Sequence, residues 1–143
     1  MNNDLLEEIL LLLENKIYIH YNTNILHIEL LEDSLTLEDT NKMIQILDTF
    51  YDNCKKKNIS FYILYDFTQL SITSSTSLIY NTAIHRSHFD KHIQLFRSNL
   101  KGICIILKNY VIRESLNTIL DLYKPEIKPH IIEDIQEIST YFL

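Results

Sequence analysis

Two kinds of apolar pattern occur in this chain, and the contrast between them constrains the fold more than any other feature. In Lys16–Tyr21, Ile17 and Ile19 alternate with Tyr18 and His20. In Ile25–Leu31, Leu26, Ile28 and Leu30 alternate with His27 and Glu29. A period of two marks a strand with one buried face. Asn22-Thr23-Asn24 lies between the runs, and Asn tolerates the positive φ of tight turns, so an antiparallel hairpin is expected. Further on, alternation gives way to nearly unbroken apolar runs, Ile59–Phe67 and Leu100–Leu107. Continuous apolarity of that length points to strands buried on both faces, as in a parallel sheet.

Helical periodicity fills the intervals. Thr36 opens the clearest helix, with Glu38 and Asp39 in its first turn and Asp39 at the capping-box position. Leu37, Ile44, Leu47, Phe50, Tyr51 and Cys54 form its apolar stripe; Lys55, Lys56 and Lys57 complement its C-terminal dipole, and Asn58 stops it. After a Ser/Thr-rich connection (Thr68–Ser77), Leu78, Ala83, Phe89, Ile93 and Phe96 mark a long helix, with a break placed near Ser87–Asp90. A further helix begins at Asn109 or Tyr110, carries Ile112, Leu116, Ile119, Leu120 and Tyr123, and ends before Pro125. His130–Ile132 reads as a short parallel strand. Asp134–Leu143 reads as a closing helix with Ile135, Ile138 and Phe142 inward. At the other end, Asn3 caps an amphipathic helix over Asp4–Glu14, an extended form of part of Ile9–Leu13 being the alternative. Residues 1–15 are thus an N-terminal amphipathic helix. Residues 16–143 form a single α/β domain: a mixed β-sheet, hairpin first and parallel strands after, covered by helices.

Composition excludes more than it suggests. A chain of 143 residues holds one core. Gly102 is its only glycine, which removes phosphate-cradling loops, dinucleotide fingerprints and nucleophile elbows together. Ile and Leu fill 45 positions, the mark of an AT-rich genome. A net charge of −6 argues against a nucleic-acid binder and against an electrostatic membrane-surface module. The longest apolar run, Ile9–Leu13, is far short of the roughly 20 residues that span a bilayer, and no cationic leader precedes it. Cys54 and Cys104, lone thiols far apart, suit a reducing interior. A soluble cytoplasmic protein is expected, with no membrane insertion, no nucleic-acid partner and no cofactor.

Few residues offer chemistry. Ser71, Ser74 and Ser75 are candidate phosphorylation sites at a helix start, where one of them also serves plainly as N-cap. His85, His88 and His92 share one helical face at metal-ligand spacing, although no Cys or HExxH glutamate joins them; a solvated mixed-charge face is the plainer reading. Asp66, closing a buried strand, lies where open α/β sheets bind ligands and is equally placed to cap the next turn. Arg113 is a candidate to receive an anion at the same edge, with a surface pair to Glu114 or Glu126 as the simpler role. Cys104 reads as a buried small hydrophobe. Cys54 either packs in the core or, beside three lysines, has a depressed thiol pKa.

The order of elements resembles the STAS-like, or SpoIIAA-like, α/β family. The opening hairpin KIYIHYNTNILHIEL, the Thr36–Thr40 helix start and the strand FYILYDF ending at Asp66 carry the resemblance. So do Ile103–Leu120 with Arg113 and the final Asp-Ile-Gln-Glu-Ile helix. The resemblance implies a non-enzymatic binding and signalling module, regulated in some members by a serine in an Asp-Ser-Ser-Gly context. Here that region has serines without the Asp before them or the Gly after. The expected function is therefore binding of a protein partner or self-association as a homodimer, through the N-terminal helix or an exposed strand edge. Nine tyrosines, Tyr18, Tyr21, Tyr62, Tyr80, Tyr110 and Tyr141 among them, favour an interface. A small-ligand or lipid binder, a structural component of a larger viral or parasite assembly, and a metal enzyme built on the three histidines are the alternatives.

Overall fold

Asn24, held at φ 65°, turns the chain between β1 (Ile17–Asn22) and β2 (Ile25–Leu30), which pair antiparallel as the alternation requires. In the computed structural model the described residues are 17–22, 24–30, 37–69, 71, 73, 94, 98–123 and 127–142. They comprise α1 (Leu37–Lys57), β3 (Phe61–Asp66), β4 (Leu100–Ile106), α2 (Tyr110–Tyr123), β5 (His130–Ile132) and, after a 3-10 turn at Ile135–Glu137, α3 (Ile138–Tyr141). The strands form one sheet in the order β1-β2-β3-β4-β5, parallel from β2 onward. This is the expected mixed α/β sheet. Among the described residues no helix is long and apolar enough to cross a membrane.

Sheet order and chain order coincide, and this has a physical result. Every parallel crossover steps in the same direction, and right-handed crossovers that step one way place their helices on one face. The two described crossover helices obey this. From α1, Met43, Ile46, Leu47, Phe50, Tyr51 and Cys54 are buried at a spacing of three and four. From α2, Ile112, Leu116 and Leu120 are buried, and both sets join Ile19, Ile28, Phe61, Ile63 and Ile103 in one core. Asn58, at φ 52°, ends α1 in the left-handed position usually given to glycine, and the Ile59 N–H returns to the Cys54 carbonyl at 2.9 Å. Asn109 caps α2, its Oδ1 accepting from the Ile112 N–H at 3.0 Å.

The opposite face holds a smaller core of Leu64, Cys104, Ile106, Ile132 and Phe142, with Ile25, Tyr62 and Ile138 against it. Phe142 stacks on Tyr62 with 4.5 Å between ring centroids. Gly102 lies beneath this stack: a Cβ there would meet Tyr62 Cδ1 at 3.3 Å and Phe142 Cε1 at 3.6 Å. What is special at this glycine is the close approach of the two rings rather than a positive φ. The closing segment differs from the continuous helix expected. Asp134 and Glu137 make a capping box around a 3-10 turn none of whose residues is buried, and only Ile138–Tyr141 is α-helical after it. Ile135, expected inward, is instead 45% exposed.

Asn99, the one buried polar side chain among the described residues, ties the two central strands at their starts. Its Nδ2 donates to the Ile59 carbonyl at 3.1 Å, and its own carbonyl accepts the Phe61 N–H at 2.8 Å. The expected N-terminal helix over residues 1–15, the Thr36 cap, the helix from Leu78 to Phe96 and the Pro125 stop lie outside the described residues.

Candidate functional site

With both described crossover helices on one face, the other face of the β1–β2 hairpin keeps the polar half of its alternation, and Asp66 at the end of β3 joins it beyond the buried Leu64. Register then brings those residues together. His20 is opposite His27 and Tyr18 is opposite Glu29 across the hairpin, while Glu29 is the parallel neighbour of Asp66. The His20 and His27 rings are 4.5 Å apart, and Tyr18 stands 5.0 Å from His20. Burial, and next to it the His27 ring, push the His20 imidazole below its ordinary value, which keeps it neutral near pH 7.

Asp66 is oriented by its own turn. Its Oδ1 accepts from the Thr68 N–H at 3.1 Å and from the Thr68 hydroxyl, which leaves Oδ2 facing His27 Nε2 at 3.6 Å. Both side chains are only 14% exposed, and His27 Nε2 is buried without a hydrogen-bond partner. One ligand atom from each of His27, Glu29 and Asp66 lies within 4.8 Å of the others, the only such group of three among the described residues. An imidazole beside two carboxylates can pair as an ion when protonated, or hold a cation when neutral.

The residues singled out from sequence are distributed differently. Asp66 is in this cluster and also caps its turn. Arg113 is committed elsewhere: its guanidinium donates to the carbonyls of Leu107 and Lys108 at 2.9 and 2.8 Å. Among the described residues the carboxylate it meets is Glu133, at 4.0 Å after β5, rather than Glu114; Glu126 lies outside the described residues. Ser71 is half-buried; Ser74, Ser75, His85, His88 and His92 lie outside the described residues. A cleft of about 510 Å³ beyond β5 is lined by Lys108, Glu133, Asp134, Gln136, Glu137 and Thr140. The residues that line it are all polar or charged.

The depressed-thiol reading of Cys54 is corrected. Burial pushes Cys54 and Cys104 both up to about 11, and the lysines beside Cys54 do not offset it. Burial likewise raises Tyr65 to about 12. Groups raised in the folded state stabilise it fully below their unfolded pKa and lose that contribution as pH rises through the folded value. Native protein at about pH 8 is therefore expected to resist a thiol reagent such as DTNB, whereas urea-unfolded protein reacts at both cysteines. The urea midpoint should fall between pH 9 and pH 11. Rapid native labelling would contradict both.

His27 and Glu29 were not recognised from sequence as site residues. Their signal was present in the polar half of the β2 alternation, but their meeting with Asp66 depends on a parallel register that periodicity does not encode. Comparison of the chain with family models, curated proteins and solved structures found no match.

Proposed function

We propose that this chain is a non-catalytic, STAS-like interaction module that works by self-association through the outer edge of β1. The difference between the two sheet edges is the observation behind this reading. Natural sheets blunt their edges with short strands, proline, bulges or charge. At one edge, β5 is three residues long and follows Pro129 directly. At the other, β1 runs for six residues, IYIHYN, with no proline and no Lys, Arg, Asp or Glu, and among the described residues it pairs with β2 alone. A second β1 laid antiparallel on that edge would satisfy its backbone groups and make one continuous sheet from two copies.

Light scattering on the purified chain is expected to give twice the 17.0 kDa monomer mass. Tyr18, 44% exposed on this edge, is the lever. Tyr18→Lys puts a charge on the pairing edge in each copy and should weaken the dimer by roughly tenfold or more while leaving the circular dichroism unchanged. A protein that stays monomeric at high concentration overturns the proposal.

A further inference from the structure

We propose that His27, Glu29 and Asp66 form a binding site for one divalent transition-metal ion, of zinc type rather than magnesium or calcium type. This goes beyond the self-association reading and does not depend on it. The distances are the first reason. At 3.6 Å, His27 Nε2 and Asp66 Oδ2 are too far apart for a hydrogen bond. They are close to the separation of about 3.4 Å that two ligands have when each is about 2.1 Å from an ion at the tetrahedral angle. All three ligand atoms lie within 4.8 Å of one another, so a closure of at most about 1.4 Å brings every pair to that separation around a common centre.

The second reason is the unsatisfied nitrogen. A buried Nε2 without a partner costs about 1–3 kcal/mol, and a cation between it and the carboxylates supplies what is missing. The third is scaffold and orientation. His27 and Glu29 are two apart on one strand, Asp66 is on the adjacent strand, and the Thr68 contacts hold Asp66 Oδ1 so that Oδ2 faces inward. One nitrogen and two oxygens favour zinc, manganese or iron over magnesium and calcium, which take oxygen ligands almost exclusively. Three protein ligands leave a fourth position for water or a ligand oxygen.

The test is calorimetric titration of the metal-stripped, full chain with zinc chloride, supported by the visible spectrum of the cobalt(II) form. One equivalent of zinc should bind, magnesium and calcium should not compete at equal concentration, and cobalt should give tetrahedral d–d bands. His27→Gln and Asp66→Asn should each lower the affinity at least tenfold. Glu29→Gln, which removes charge while keeping shape, should do the same and carries the test if the more buried variants fail to fold. A triple variant, His85→Gln with His88→Gln and His92→Gln, should bind as the parent does. Absence of saturable zinc binding overturns the proposal and leaves His27–Asp66 an ion pair. Full affinity in His27→Gln or Glu29→Gln, loss in the triple variant, or equal competition by magnesium overturns it as well.

Discussion

Phe61→Ala is expected to cost about 3–5 kcal/mol of folding stability. Phe61 is fully buried at the start of β3. It meets Phe50 edge to face at 5.1 Å and 90°, and stacks on Tyr51 at 5.5 Å and 20°. Those partners sit on α1, a helix of 21 residues, while β3 is paired on both sides, so neither wall can close on the void. The lost transfer energy and an uncollapsed cavity therefore add. Domains of this size are stable by about 5–15 kcal/mol in all, so the variant should unfold at much lower urea. A loss under about 1 kcal/mol would show that the three rings do not pack as described.

Gly102→Val is the second, expected to cost about 1–3 kcal/mol through overpacking. Alanine at the same place is the informative control. Its Cβ would sit 3.3 Å from Tyr62 Cδ1, a conflict that a few tenths of an ångström of ring movement relieves. Removing a glycine also restricts the unfolded chain, a gain of about 0.4–1 kcal/mol, so Gly102→Ala should be close to neutral. Valine adds two methyl groups beneath the Tyr62–Phe142 stack, where Phe142 is itself buried. Urea melts of the two variants test this. Equal stability of alanine and valine would mean that the stack is loose and the glycine serves no packing purpose.

Periodicity made most of the scaffold legible. The hairpin followed from alternation and an asparagine turn, α1 from a stripe at helical spacing, and the parallel strands from unbroken apolar runs. Each of these is a local property of the sequence. The candidate site is different in kind. Glu29 and Asp66 are far apart in the chain and meet only because β2 and β3 pair in one particular register. Reading His27 and Glu29 as the solvated half of a hairpin was sound for that hairpin alone, but it left out the next strand. Arg113 also donates to two carbonyls, which every residue carries and no sequence pattern advertises. Ile135 misled because the closing segment opens as a capped 3-10 turn with no buried residue rather than as one continuous helix. For Asp66 the turn-cap and site readings were set against each other, yet a carboxylate has two oxygens and the structure uses one for the turn.

The coincidence of sheet order with chain order also bears on how the molecule is made. Chains emerge from the ribosome amino end first, and early segments can pair before later ones exist. Here each described strand joins beside the one synthesised before it, from the hairpin through to β5. No strand must be inserted between two that are already paired, and the growing edge is ready for its next neighbour at each stage. The last described strand to arrive is the shortest, three residues long and directly after Pro129, an edge that offers little to a further strand.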